Sequence, residues 1–198
     1  LNWYAGTEDW PQNNWYAGIP HPDGNGKYLV WDAQEALHDG AKISLGQISS
    51  ARLNLVKPLF EILIQDADFR LGFDDSMELH LRNNGALTDD RAQTRWLALN
   101  RTIEPAIIAE SARWGDVWLD EPITQADWRR ARDAVLAQFA GNADRLIELA
   151  RQAGFYPTID PPGLNHPGGL VEPGFRLTMD GAGAGTMYDN SRGSDPRL

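Results

Sequence analysis

The spacing of apolar positions changes character near residue 50. Before that point the apolar residues are aromatic and β-branched and come in short runs. Asn14-Trp15-Tyr16-Ala17-Gly18-Ile19 and Lys27-Tyr28-Leu29-Val30-Trp31 both have strand composition. Between them His21-Pro22-Asp23-Gly24-Asn25-Gly26 holds an Asp-Gly and an Asn-Gly pair, which take positive φ at little cost. The pattern predicts a β-hairpin. Ahead of it, Leu1-Asn2-Trp3-Tyr4-Ala5 reads as the tail of a helix closed by Gly6. Thr7 to Gln12, with Pro11, then reads as a loop.

Beyond residue 50 the period becomes helical. Pro58 suits a first helical position, with Leu59, Phe60, Leu63 and Ile64 on one face. Asp66-Ala67-Asp68 opens a second helix in which Phe69, Phe73, Met77 and Leu81 recur every four residues, and Asn83-Asn84-Gly85 ends it. Thr88-Asp89-Asp90 is a cap with acids in the first turn. The helix it opens carries Trp96, Leu99, Ile103, Ile107 and Ile108, is open to a kink at Pro105, and closes at Trp114-Gly115-Asp116. Thr124-Gln125-Ala126-Asp127 opens a helix with Trp128, Ala131, Val135, Leu136 and Phe139. Asn142-Ala143-Asp144 opens another with Leu146, Ile147, Leu149 and Ala150, ending at Gly154. These stripes are expected to form a core.

From Tyr156 onward Pro and Gly dominate, at 157, 161, 162, 163, 167, 168 and 169, which is linker composition. Gly174 to Met179 reads as one strand, and Thr186-Met187-Tyr188 as the start of another. Two strands cannot bury a core, so residues after about 160 are expected to be extended and loosely packed. The fold class expected is mainly α with a small β-hairpin, then a Pro/Gly linker and incomplete β-strands.

Composition narrows the chemistry. A formal charge of −10 argues against non-specific nucleic-acid binding, which needs clustered Lys and Arg. The Arg129-Arg130-Ala131-Arg132 run reads as a solvated face or a set of acid partners. With no cysteine, disulfide and thiolate chemistry are excluded. His21, His38, His80 and His166 have no zinc-ligand spacing. Asn100-Arg101-Thr102 matches a glycosylation sequon but falls inside a predicted helix. No apolar run has the length of a membrane span and no signal peptide opens the chain. The chain starts at Leu1, in mid-helix and without an initiator Met, so it is expected to be an internal piece of a longer protein.

The candidate chemistry lies around the hairpin. Asp9 and Asn14 are five positions apart, and Asp32 comes just after the second strand. An acid that orients an acceptor hydroxyl and two oxygen ligands for magnesium are what this half of a phosphoryl-transfer site needs. The Asp9–Asn14 spacing equals that of the Asp and Asn in a protein-kinase catalytic loop, and Asp32 stands where the metal-binding Asp would be. With 19 Asp and 11 Asn, about one such pair is expected by chance, and Asp160–Asn165 is a second, in a Pro/Gly run. The hairpin distinguishes the first pair, because it brings Asn14 and Asp32 together across the intervening residues. Alternatively, Asp9 forms an Asx-turn and Asp32 caps the next segment. Glu35 is close enough to Asp32 to join a metal shell or to be a solvated acid.

Asp9-Trp10-Pro11-Gln12-Asn13-Asn14-Trp15-Tyr16 and Trp31-Asp32-Ala33 strongly resemble the spore-coat CotH family of atypical, secretory-type protein kinases. The resemblance continues through Asp68-Phe69-Arg70, Gly85-Ala86-Leu87-Thr88 and Glu110-Ser111-Ala112-Arg113-Trp114-Gly115-Asp116. It implies a kinase C-terminal lobe over residues 1–157, with 158–198 as linker and the truncated start of a further module. It also implies Asp9 as the catalytic acid, Asp32 as a magnesium ligand and Asn14 as its helper. ATP would be the donor, Ser and Thr hydroxyls of proteins the acceptors, and the setting secreted or at the cell surface. A kinase also needs a Gly-rich cover and a Lys before its catalytic loop. All three Lys, at 27, 42 and 57, come after Asp9, so the chain alone is expected neither to bind ATP tightly nor to transfer phosphate. Gly193-Ser194-Asp195-Pro196 resembles part of the Thr-x-Asp-Gly-Ser-Asp-Pro signature of β-sandwich modules related to the C-terminal domain of chitobiase-type enzymes, with Asn190-Ser191-Arg192 departing from it.

A second reading is a carbohydrate-binding or structural module of a surface protein. Trp3, Tyr4, Trp10, Trp15, Tyr16 and Trp31 crowd the first 31 residues, and sugar rings stack on exposed aromatic faces. Burial of the hairpin aromatics explains the crowding equally well.

Overall fold

The structure is a computed structural model that describes residues 1–8, 10–11, 13–19, 24–43, 56–117, 119–166, 169–181 and 187. The chain divides into two units, Leu1–Tyr156 and Pro157–Leu198. The first is mainly helical, with one small antiparallel hairpin. Its elements run α1 (Asn2–Ala5), β1 (Trp15–Gly18), β2 (Lys27–Val30), α2 (Val56–Leu63), α3 (Ala67–Leu81), α4 (Asp89–Trp114), α5 (Gln125–Gln138) and α6 (Asn142–Gln152).

The core forms around α1, although that helix is a single turn. Trp3 sits edge-on to Trp10, Phe60 and Phe73 at 6.1, 5.4 and 5.9 Å, and stacks on Phe155 at 5.9 Å. Tyr4 stacks on Phe139 at 6.4 Å. Such ring pairs add about 0.5–1.5 kcal/mol each beyond the area they bury. The four-residue stripe of α3 points the same way, with Met77 and Leu81 buried and Phe73 packed beside them. Asp66 caps that helix by accepting from the Phe69 amide at 2.9 Å. The inner face of α6 is Ala143, Leu146, Ile147 and Ala150, all buried. Arg82 pairs with Asp144 to tie α3 to α6, and the Tyr156 hydroxyl donates to Glu78.

α5 opens with the capping box expected at Thr124: its hydroxyl accepts from the Asp127 amide while Asp127 accepts from the Thr124 amide at 2.8 Å. The Asp127 carboxyl is held below its ordinary range, first by the Thr124 hydroxyl and then by the Thr124 amide. α4 continues through Pro105, where the missing N–H removes one rung of its ladder. It meets α5 through Glu104, which accepts from Arg129 at 2.7 Å, and through the Trp96 indole, which donates to the Arg132 carbonyl at 3.0 Å. Two details differ from the sequence expectation. Thr88 is the N-cap residue of α4, but its hydroxyl donates back to Gly85 at 2.9 Å instead of capping. Leu99, Ile103 and Ile108, expected in the core, are exposed. The covered residues of α4 include Ala92, Trp96 and Asn100, all in its first half. Ile108 is rotated well away from the middle of that side, whereas Leu99 and Ile103 lie roughly 20° from Ala92, so rotation alone does not account for their exposure.

In the second unit Gly163–Leu164 (β3) pairs antiparallel with Met179–Asp180 (β4). The strand expected over 174–179 therefore reaches the ladder only at Met179, and its partner comes from the Pro/Gly stretch. The Asn165 carboxamide extends that ladder, accepting from the Thr178 amide at 2.8 Å and donating to the Arg176 carbonyl at 3.0 Å. Most of the strand expected from Thr186, and the chitobiase-like ending, lie outside the described residues.

Candidate functional site at the open end of the hairpin

The loop that carries the candidate residues leaves α1 through Gly6, whose φ of 60° closes the helix in the left-handed region. A Cβ there would lie 2.3 Å from the Gly40 carbonyl oxygen, so glycine is required twice over. Glu8 then lies beside the segment that comes after the hairpin. Its amide donates to the Glu35 carbonyl at 3.0 Å, and its carboxylate takes a hydrogen bond from Lys42 Nζ at 3.0 Å. That hydrogen bond, reinforced by the Lys42 charge, holds the Glu8 carboxyl below its ordinary range. Thr7 is buried, and its hydroxyl has no hydrogen-bond partner among the described residues.

β1 and β2 pair in the register Trp15–Val30, Tyr16–Leu29, Ala17–Tyr28 and Gly18–Lys27. The ladder continues one rung further, with the Trp31 amide donating to the Asn14 carbonyl at 3.0 Å. Asn14 and Asp32 thus come to the same end of the ribbon, one from each strand. Both have positive φ, 64° and 49°, which short polar side chains tolerate better than others. The Trp15 indole donates to the Pro11 carbonyl at 3.0 Å and ties this end of the ribbon to the preceding loop. Asp9 lies outside the described residues.

The segment after Asp32 is stitched to the helices. The Leu37 amide donates to the Ala5 carbonyl at 2.7 Å, and the Lys42 amide to the Trp3 carbonyl at 2.9 Å. The Asn142 carboxamide accepts from the Ala41 amide at 2.6 Å and donates to the Tyr4 carbonyl at 2.9 Å. Gln138 accepts from the Gly40 amide at 3.1 Å and donates to the His38 carbonyl at 2.7 Å. Asn142 was legible only as a helix opener. Its side chain is buried and clamps both flanks of the site, and Gly141 with φ 72° takes the cap position. Asp89 accepts from the Gly141 and Ala143 amides and so completes that helix end. A lone polar residue beside a helix start gives no sequence signal for such long-range partners.

Comparisons with protein-family models, with curated proteins and with solved structures found no match to this chain.

Asp32 is exposed and makes no ion pair among the described residues. With its amide nitrogen turned inward, Gln34 donates to the Asp32 carbonyl at 3.0 Å and to its carboxylate. The carboxylate still has lone pairs facing solvent. Carboxylate and carboxamide oxygens are the hard donors that magnesium takes, usually alongside several retained waters. Among the described residues no three His, Cys, Asp or Glu side chains gather around a metal position, and the oxygen donors they offer a cation here are the mixed pair Asn14 and Asp32. Glu35 points elsewhere, pairing with His38 at 3.6 Å.

The seven aromatics of the first 31 residues separate. Trp3 and Tyr4 belong to the core and Trp10 packs against it. Tyr16 and Trp31 are exposed and meet each other at 5.4 Å, with their planes 65° apart. Trp15 tilts against Tyr28 at 5.4 Å. No helix among the described residues is long and apolar enough to cross a membrane.

Proposed function

We propose that this chain is part of a CotH-like protein kinase that transfers the γ-phosphoryl group of ATP to Ser or Thr hydroxyls of proteins. The observation that supports it is the register of the hairpin, which delivers Asn14 and Asp32 to one end of the ribbon. In this reading the Asn14 carboxamide and the Asp32 carboxylate hold magnesium. Asp9 accepts the proton of the acceptor hydroxyl and fixes its direction of approach. Magnesium, when bound, neutralises charge on the phosphate oxygens of the donor. The Glu8–Lys42 pair and the Asn142 clamp position the two flanks and touch no substrate.

Magnesium titration monitored by calorimetry tests the reading. Weak, saturable binding that Asp32→Ala abolishes and Asn14→Ala weakens is expected. Binding that survives both substitutions would remove the metal site and with it the phosphotransfer assignment.

The second reading, a carbohydrate-binding module, draws on the exposed rings of Tyr16, Tyr28 and Trp31. It requires sugar binding that Trp31→Ala removes and that is indifferent to magnesium.

A further inference from the structure

An apolar cavity of about 350 Å³ opens between α1, α2 and α3. Trp3, Trp10, Phe60, Phe73, Met77 and Leu146 form much of its wall. We propose that it is a binding site for a small, flat, uncharged apolar molecule. The inference does not depend on the phosphotransfer reading.

Three observations specify the ligand. First, the volume lies in the range of small-molecule sites, roughly 300–1,000 Å³, and exceeds the gaps that imperfect packing leaves in protein interiors. Second, among the described residues no Asp, Glu, Lys or Arg side chain lines it, so a charged ligand would lose its hydration for few partners. Its few polar side chains include Ser76 and His80, and the Ser76 hydroxyl already donates to the Gly72 carbonyl at 2.9 Å within its own helix. Water inside would find few partners, and an apolar cavity of that kind gains by taking an apolar guest. Third, Trp10, Phe60 and Phe73 stand 75–88° from Trp3, so the wall offers both ring faces and ring edges. That mixture suits an aromatic guest, which prefers offset or edge-on contacts.

N-phenyl-1-naphthylamine, a neutral fluorescent aromatic, is a suitable probe for the chain. Saturable one-site binding with blue-shifted emission is expected. Ser76→Phe, which places a ring inside the cavity, should weaken it about tenfold or more, while Leu79→Ser on the exposed side of α3 should leave it unchanged. Nuclear Overhauser contacts from the probe in the unsubstituted chain should reach the methyl groups of Met77 and Leu146, a readout that stands even if Ser76→Phe does not fold. Absence of saturable binding would overturn the proposal. So would affinity unaffected by a folded Ser76→Phe variant, or contacts confined to Tyr16 and Trp31 on the ribbon.

Discussion

The side chain of Asn142, in the first turn of α6, donates to the carbonyl oxygen of Tyr4 at 2.9 Å, across 138 positions of sequence. The same carboxamide accepts from Ala41. One buried side chain thus joins the segment after the hairpin to the helix before it, and both flanks of the candidate site depend on it.

Asn142→Ala should therefore be costly. It removes two hydrogen bonds and leaves a buried amide and a buried carbonyl unpaired, a loss of about 2–4 kcal/mol. Urea denaturation monitored by circular dichroism measures it. A loss below about 0.5 kcal/mol, the range of ordinary surface substitutions, would show that the clamp does not hold the two segments.

Gly6→Ala tests the exit from α1. The left-handed φ of 60° and the 2.3 Å approach of a Cβ to the Gly40 oxygen both oppose a side chain. The expected destabilisation is about 2 kcal/mol or more. The Gly40 amide and the Leu37 amide should lose protection from hydrogen exchange before the α3 amides do.

Asp74 makes stability depend on pH. It is buried, its Oδ1 has no hydrogen-bond partner, and burial raises its pKa, with Asp75 adding to the rise and Arg70 opposing it. The folded chain therefore keeps a proton that the unfolded chain releases first. This contribution is fully present below the unfolded carboxyl pKa and is lost as pH rises through the folded value. Asp74→Asn should flatten that decline and add about 1 kcal/mol at neutral pH, where the carboxylate is otherwise charged with its buried Oδ1 lacking a hydrogen bond. Equal stability gaps between the two proteins at mildly acidic and neutral pH would contradict this.

The exposed side of α4 gives the contrasting case. Leu99 is 65% exposed, whereas Leu146 is 5% exposed. Leu99→Ser should stay within about 0.5 kcal/mol of the parent, whereas Leu146→Ala should cost about 2–5 kcal/mol. Comparable losses at the two positions would place α4 against a neighbour on its Leu99 side.

Local chemistry was the legible part of this fold. Asp66 before a stripe spaced by four, Thr124 three residues before Asp127, and Gly6 after a short helix each signal their geometry through neighbours in sequence. The Leu99, Ile103 and Ile108 positions show the limit. Periodicity identifies apolar residues on a helix but not which of them a neighbour reaches, and α5 engages α4 through Glu104 and Trp96. Asn142 fails for a related reason, because its partners are remote. At the site, the hairpin came from composition and turn residues, and its length made Asn14 and Asp32 neighbours on paper, while the register is read only from the structure. The fastening of the segment after Asp32 by Asn142, Gln138 and Lys42 has no local signature.

Manganese, a paramagnetic stand-in for magnesium, probes the central claim most directly. Added in trace amounts to isotopically labelled chain, it should broaden the amide resonances of Asn14, Trp31 and Asp32 first. Excess magnesium should restore them, and Asp32→Ala should abolish the effect. Broadening centred instead on other acids, with Asn14 and Asp32 untouched, would contradict a cation site at the end of the ribbon.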